Sequence, residues 1–310
     1  MTGILCLDKP EGLTSFVAAD RAKRRTGAAK AGHCGTLDPM ATGVLPVLLG
    51  SATRFLPFLP TAPKRYTAVL KLGVRTDTLD RTGTVLETRP VSADRADVLA
   101  ALDAFRGDIL QVPPMYSAVK KDGVRMYDLA RKGVEVPRDP RPVTISRLEL
   151  LDGAPDTMNH PLAEQEYVLD ITCSGGTYIR TLIDDLGAAL GCGAVMTDLR
   201  RTAVGPFSEE GAVSWEELNR AQEYNLSARI LPVDRFLQQY PEVAVTDKQA
   251  ARFQNGGELF LSRLRLPEHT APADGEPLFR MYGPDGAFLG LGVPDEEAGV
   301  MKIRRIFTGR

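Results

Sequence analysis

At 310 residues the chain is long enough to bury a substantial core, as one large domain or one large and one small. Its 43% hydrophobic and 25% charged residues exclude wholesale disorder and a collagen-like or coiled-coil class, leaving a soluble α+β or α/β protein. The net charge of −2 hides an asymmetry, with 23 basic against 16 acidic side chains in residues 1–150 and 15 against 24 in the rest. Basic density peaks over residues 21–30 and again over 120–141, where Lys121, Arg125, Arg131, Lys132 and Arg138 lie. Such clusters form solvated faces or supply what phosphate binding needs.

The opening "MTGILCLDKPEGLTSF" fits neither a secretory signal nor a membrane span, so a cytoplasmic location is expected. "GILCLDKP" reads as a short strand stopped by Pro10, and Thr14 is placed to cap a helix running through the basic residues to Gly27. Residues 28–43 hold three glycines, a proline and no helical period, which predicts a loop of the long kind that carries function. Residues 65–74 alternate as one strand. "DVLAALDAF" has helical spacing at Val98, Leu99, Leu102 and Phe105, with Gly107 as the stop. Residues 112–143 carry prolines, a helical pattern at "VRMYDLARKG" and many basic groups, and read as a surface insertion before strand character resumes at "RPVTISRLELL".

"EYVLDITCSGGTYIRTLIDDLGAALG" predicts a strand, a Gly175-Gly176 turn and a helix with Ile179, Leu182, Ile183, Leu186 and Leu190 on its apolar stripe. Arg180 and Asp184 fall off that stripe. Arg180 is then either idle at the surface or free to reach into a cleft. After two short helical patches beyond Trp215, Thr246 and Gln249 match a capping box, Gly256-Gly257 ends that helix, and three strand-like runs follow.

The four cysteines, Cys6, Cys34, Cys173 and Cys192, and the three histidines, His33, His160 and His269, lack metal-ligand spacing, and reduced thiols fit the expected compartment. No nucleophile elbow, Walker loop or dinucleotide fingerprint occurs. The loop "GHCGTLDP" leaves a His33–Cys34 thiolate pair, unfavoured because sequence neighbours rarely face each other, and Asp38, which Pro39 restricts to extended conformations. Asp38 could serve as base, nucleophile or stabiliser of an oxocarbenium-like centre, or simply make an Asx turn.

"GHCGTLDPMATGVLP" resembles the signature loop of the TruB family of bacterial tRNA pseudouridine-55 synthases, in which a G-H-x-G-[ST]-L-D-P loop carries the catalytic aspartate. "LDKPEGLTS", "KRYTAVLKLGVRTDTLDRTG", "QVPPMYSAVKKDGVRMYDLARKGVEVPRDPRPV" and "CSGGTYIRTLIDDLG" followed by "LRRTAVGPF" resemble further family segments in the same order, and together cover most of residues 3–207. The resemblance implies an α+β fold: a pseudouridine synthase-like mixed or antiparallel sheet with helices over residues 1–238, a thumb-like RNA-binding insertion near 113–143, and a small β-rich PUA-like domain over 239–310. It implies a standalone enzyme that isomerises uridine 55 in the tRNA T stem-loop, as a monomer without metal, cofactor, membrane or obligatory protein partner.

Carried onto matching positions, the resemblance makes Asp38 the catalytic carboxylate, Arg180 its partner, Asp80 a member of the same charge network and Tyr66 the face stacked on the target base. It places Tyr178 and Leu199 in the pocket wall and His33 against the RNA loop. Cys34 departs from the threonine or alanine more usual there, and its small size predicts no loss of activity. Two rival readings are a guide-RNA-dependent synthase subunit, which the thumb-like insertion opposes, and a non-catalytic tRNA-binding or folding protein, which Asp38, Tyr66 and Arg180 together oppose.

Overall fold

A computed structural model of the chain describes residues 1–117, 120–121, 124–126, 133–134, 136–153, 161–220, 225–267 and 276–309. The larger sheet orders β1 (Gly3–Lys9), β3 (Thr42–Leu49), β12 (Ala194–Val204), β4 (Lys64–Leu72), β11 (Glu166–Cys173), β10 (Arg141–Leu150) and β7 (Gly107–Gln111), with β2 (Ala31–His33) also on β3 and β13 (Phe207–Ser208) on β12. All pairings are antiparallel except the short β3–β12 contact at Arg200↔Thr42 and Arg201↔Gly43. Gly43 permits it: at φ +101° a Cβ there would fall 2.2 Å from the Arg201 carbonyl oxygen.

Residues 28–43 are therefore not wholly loop, because three of them form β2 and Thr42 already begins β3. The strand expected over 65–74 breaks at Gly73 into β4 and β5 (Val74–Thr76), which pairs with β6 (Val85–Thr88). α1 (Ser15–Thr26) keeps its expected limits, with the Thr14 hydroxyl accepting from the Val17 N–H and Gly27 as C-cap. In α2 (Arg95–Ala101) and the 3-10 turn after it, Val98 and Leu102 are buried but Leu99 faces solvent, and Gly107 opens β7 rather than stopping the helix.

Within the basic insertion, Lys120–Lys121 (β8) and Val124–Arg125 (β9) pair antiparallel, so Val124 and Arg125 are strand rather than helix. Met126 and Ser117 are buried, which makes part of the insertion core rather than surface. Residues 127–132 of the expected helix, with Arg131 and Lys132, lie outside the described residues, as do His160 and His269, and Gly133 is a turn.

α3 (Ile179–Ala189) packs Ile179, Leu182, Ile183 and Leu186 against Leu70, Leu169, Ile171 and Met196 of the sheet. α4 (Trp215–Asn219) and α1 cover the β1–β3 edge through Leu5, Leu7, Leu45 and Leu218. Near the C-terminus, β14 (Glu242–Ala244), β16 (Phe279–Tyr282), β17 (Phe288–Asp295), β18 (Val300–Ile306) and β15 (Leu259–Phe260) form a second sheet in that order. It carries α5 (Asp247–Gln254), whose Thr246–Gln249 capping box is present as expected. Phe288 and Phe307 close on Phe55 with ring centroids 5.5 and 5.8 Å away, joining this sheet to the larger one.

Candidate active site

Asp38 stands in the connection between β2 and β3. The Ala41 N–H donates to the Asp38 carbonyl at 3.1 Å, closing the turn that Pro39 favours. The residues on either side of Asp38 are tied to the end of β1 and the start of α1. The buried Ser15 hydroxyl accepts from the Leu37 N–H at 2.8 Å and donates to the Leu37 carbonyl at 3.1 Å. The fully buried Lys9 ammonium donates to the carbonyls of Pro10 and Leu13, each at 2.8 Å, and to that of Pro39 at 3.3 Å, while the Gly12 N–H reaches the same Pro39 oxygen at 2.8 Å. Burial lowers the Lys9 pKa to about 8, against the pull of the nearby Asp38 charge.

Removing the Ser15 hydroxyl leaves the Leu37 N–H without its acceptor in a dry position. Ser15→Ala is expected to cost about 1–3 kcal/mol in thermal or urea unfolding and to lower kcat as the carboxylate loses its aim. Unchanged stability and rate would show that this clasp does not hold the loop.

Across from the loop, Arg180 sits in the first turn of α3. It lies off the helix's apolar stripe as expected but is only 5% exposed, because the Asp38 loop and the chain at Thr78 and Tyr116 cover it. Its guanidinium grips Asp38 twice, Nε to Oδ2 at 3.0 Å and Nη2 to Oδ1 at 3.2 Å, and also donates to the carbonyls of Thr78 at 3.0 Å and Tyr116 at 2.8 Å. Asp184, the other residue off the stripe, instead binds Arg75 through both carboxylate oxygens.

Asp80 completes the network with Oδ2 3.8 Å from Arg180 Nη1, while its Oδ1 accepts from the Thr78 hydroxyl and from the Thr82 N–H and hydroxyl. Leu79, just before it, adopts a left-handed φ of +63°, a strained conformation for a branched residue that the surrounding bonds enforce.

Asp38 remains 32% accessible on its open side although protein encloses the others. Burial raises its pKa above the ordinary 3.8; Arg180 is the strongest influence pulling it back down, and Asp80 pushes it further up. A raised carboxylate pKa means that the ionised fraction is lost at a higher pH as acid is added. The acid limb of kcat/KM is therefore expected to bend above pH 3.8 and then to fall about tenfold per pH unit. A profile flat down to the ordinary carboxylate range would remove Asp38 as the ionised group that matters.

Apolar surface flanks the pair. Tyr66 on β4 and Leu199 on β12 pack in one cluster with Leu37 and Met40, and Leu199 lies opposite Ala68 in the sheet register. Burial pushes the Tyr66 pKa up to about 12, so the phenol stays protonated at neutral pH, with the buried Arg201 guanidinium the main opposing influence. Half-buried Tyr178 precedes α3, and its N–H and carbonyl are both held by the Gln111 amide, at 2.7 and 3.0 Å. Half-buried His33 ends β2; burial first, then the Arg201 charge, lowers its pKa and leaves the imidazole neutral. The thiol of buried Cys34 is raised to about 12 by burial, so it stays unionised, against the thiolate reading.

A bidentate arginine–aspartate pair beside a buried apolar cluster that contains a tyrosine and a leucine holds its carboxylate next to apolar side chains. Three family models match the chain. "TruB family pseudouridylate synthase (N terminal domain)" covers residues 23–179, "tRNA pseudouridylate synthase B C-terminal domain" covers 180–238, and "Pseudouridine synthase II TruB, C-terminal" covers 241–306. The chain belongs to the TruB family. Among its relatives, tRNA pseudouridine synthase B of Burkholderia mallei (strain NCTC 10247) is 46% identical over 99% of this chain and 97% of its own. The protein of the same name from Stutzerimonas stutzeri (strain A1501) is 44% identical over 99% and 96%. Among solved structures, the "Crystal Structure of a Cbf5-Nop10-Gar1 Complex" contains a chain similar to this one at TM-score 0.71 and 26% identity, covering all of this chain and 86% of its own.

The structure thus gathers Asp38, Arg180 and Asp80 into one network, with Tyr66 and Leu199 in the adjoining apolar cluster. For this TruB chain the sequence reading left out Lys9, Ser15, Gln111 and Arg201. Lys9 and Ser15 were in view within "LDKPEGLTS", but nothing local says that a lysine or serine will reach backbone atoms of residues 37 and 39. Their bonds run 30 and 22 positions along the chain.

Proposed function

We infer that the chain, a pseudouridine synthase of the TruB family, isomerises uridine 55 in the T loop of tRNA as a standalone enzyme, with Asp38 as its catalytic residue. The observation that carries this reading is the doubly bonded Asp38–Arg180 pair beside the Tyr66–Leu199 wall. The relatives named for tRNA pseudouridine synthesis, 43–46% identical over almost the whole chain, supply the substrate class.

In the reaction the N1–C1′ bond breaks, the uracil turns, and C5 joins C1′, with a proton leaving C5 and one arriving at N1. The target base must first leave its stack. Stacking on Tyr66 holds a detached uracil face-on while leaving it free to rotate, since aromatic stacking fixes the plane but no single in-plane orientation. Arg180 keeps the carboxylate ionised and aimed at the sugar side of that plane. Attack at C1′, attack on the ring and removal of a sugar proton each require that same ionised oxygen. Tyr178 is read as a second pocket wall, His33 as a contact to the opened RNA loop, and Asp80 as the outer member of the charge network.

The solved relatives include a "box H/ACA sRNP Nop10-Cbf5 complex" at 25% identity, the observation behind a guide-dependent alternative. The higher identity to the tRNA enzymes favours a standalone protein, read here as a cytoplasmic monomer with its domain boundary near residue 238. Among the described residues no helix is long and apolar enough to cross a membrane. Incubation of purified protein with an unmodified tRNA transcript, followed by mass spectrometry or carbodiimide mapping, tests the reading. One new pseudouridine at position 55 is expected. None from active-folded protein would end the standalone reading, and its appearance only after guide RNA is added would favour the alternative.

A further inference from the structure

Gly35, three residues before Asp38, lacks a side chain at a point where two cations converge. A Cβ built on it would lie 3.3 Å from Lys64 Nζ and 3.4 Å from Arg201 Nη1, so the two nitrogens are no further apart than the sum of those distances. Arg201 is fully buried. Its Nε donates to the Val44 carbonyl at 2.8 Å and its Nη2 to the Gly35 carbonyl at 3.1 Å, whereas its buried Nη1 meets no acceptor in hydrogen-bonding geometry among the described residues.

No carboxylate forms an ion pair with either cation among the described residues. The groups acting on Lys64 are Arg201, Cys173 and Cys34, and those acting on Arg201 are Tyr66, whose protonated phenol also hydrogen-bonds the guanidinium, Cys34 and Cys6. Burial holds Cys34 and Cys6 near 12, so these thiols are uncharged. A positive charge kept dry without an anion is costly and is retained where an anion arrives from outside.

Sheet register fixes where that anion would lie. Tyr66 is opposite Arg201 and Lys64 is opposite Val204, so Lys64 sits two residues from Tyr66 on the same face of β4. Two residues of strand span about 7 Å, comparable to the reach from a nucleobase to its own phosphate. Lys64 is half-buried and Gly35 half-exposed, leaving an approach from solvent, while Arg201 lies behind them.

We propose that Lys64 and Arg201, converging on Gly35, form a seat for one backbone phosphate of the RNA, with Lys64 as the direct contact and Arg201 as the charge behind it. This rests on the RNA-acting reading above. A phosphate oxygen enters the space a side chain would occupy on Gly35, neutralises the pair and pins the backbone while the base meets Tyr66.

The test uses a T-arm hairpin and the Asp38→Asn protein, so that binding is read without turnover. Lys64→Gln in this background is expected to weaken Kd and to make the plot of log K against log salt shallower by about one. A scan of single methylphosphonate linkages is expected to find one position, beside the target uridine, whose neutralisation weakens binding to the parent protein but not to Lys64→Gln. Lys64→Arg should keep sensitivity at that position. The seat is overturned if Lys64→Gln and its parent respond alike at every linkage, even with an overall loss of affinity, which would then be structural. The scan on the parent alone keeps the proposal testable should Lys64→Gln fail to fold, since the absence of any sensitive linkage beside the target also overturns it. Absence of hairpin binding by the parent would instead bring down the RNA reading itself.

Discussion

Asp38→Asn is expected to lower pseudouridine formation by at least roughly 10⁴-fold while leaving tRNA affinity within a few-fold of wild type. Asparagine keeps the size and the turn but is neutral and loses the anionic grip of Arg180, whose two bonds to Asp38 measure 3.0 and 3.2 Å. The walls at Tyr66 and Leu199 and the basic surfaces are untouched, so binding should survive. Single-turnover rates with saturating enzyme and a filter-binding curve on the same preparation separate the two quantities. Residual turnover within about tenfold of wild type would move the chemistry to another residue.

Arg180→Ala should be the second-largest loss, roughly 10²–10³-fold or more in kcat with a smaller change in affinity. The substitution leaves Asp38 and Asp80 as neighbouring anions and empties the donors that bind the Thr78 and Tyr116 carbonyls. The Asp38 pKa loses its strongest lowering influence and rises further, so the acid limb of the rate profile must move to higher pH than in wild type. Arg180→Lys restores charge but not the two-pronged geometry and should recover only part of the rate. An effect confined to KM, with the limb unmoved, would remove Arg180 from the charge network. Stability falls as well, because a buried ion pair broken on one side costs about 3–5 kcal/mol, so rates belong at temperatures where both proteins are folded.

Where local chemistry decides the outcome, the sequence was legible. Thr14 and Gly27 delimit α1, the Thr246–Gln249 box starts α5, and the apolar spacing of α3 identifies its buried face. β3 was not legible, for a physical reason. "TGVLPVLL" is buried on both faces, so it lacks alternation, and Pro46 in its middle argues against a strand. That proline sits opposite Cys6 and gives its carbonyl to the Cys34 N–H, roles available to a residue without an amide hydrogen.

Arg180 was half legible. Helical spacing puts it off the stripe, but only the tertiary arrangement reveals a second covering layer made from residues 38, 78 and 116. Asp38 itself was recognised through the match of several motifs rather than through its own surroundings. Lys64 and Arg201 had no periodic signature, because what distinguishes them is the anion they lack.

The bonds that brace Asp38 differ greatly in reach. Ser15 meets Leu37 across 22 positions, whereas Arg180 meets Asp38 across 142. During synthesis the N-terminal turn and the loop that carries Asp38 emerge early and can dock before most of the sheet exists, but the guanidinium arrives only after more than half the chain. The carboxylate is thus cradled first and paired last, and the ion pair proposed to support catalysis forms only in a chain whose distant parts have already come together.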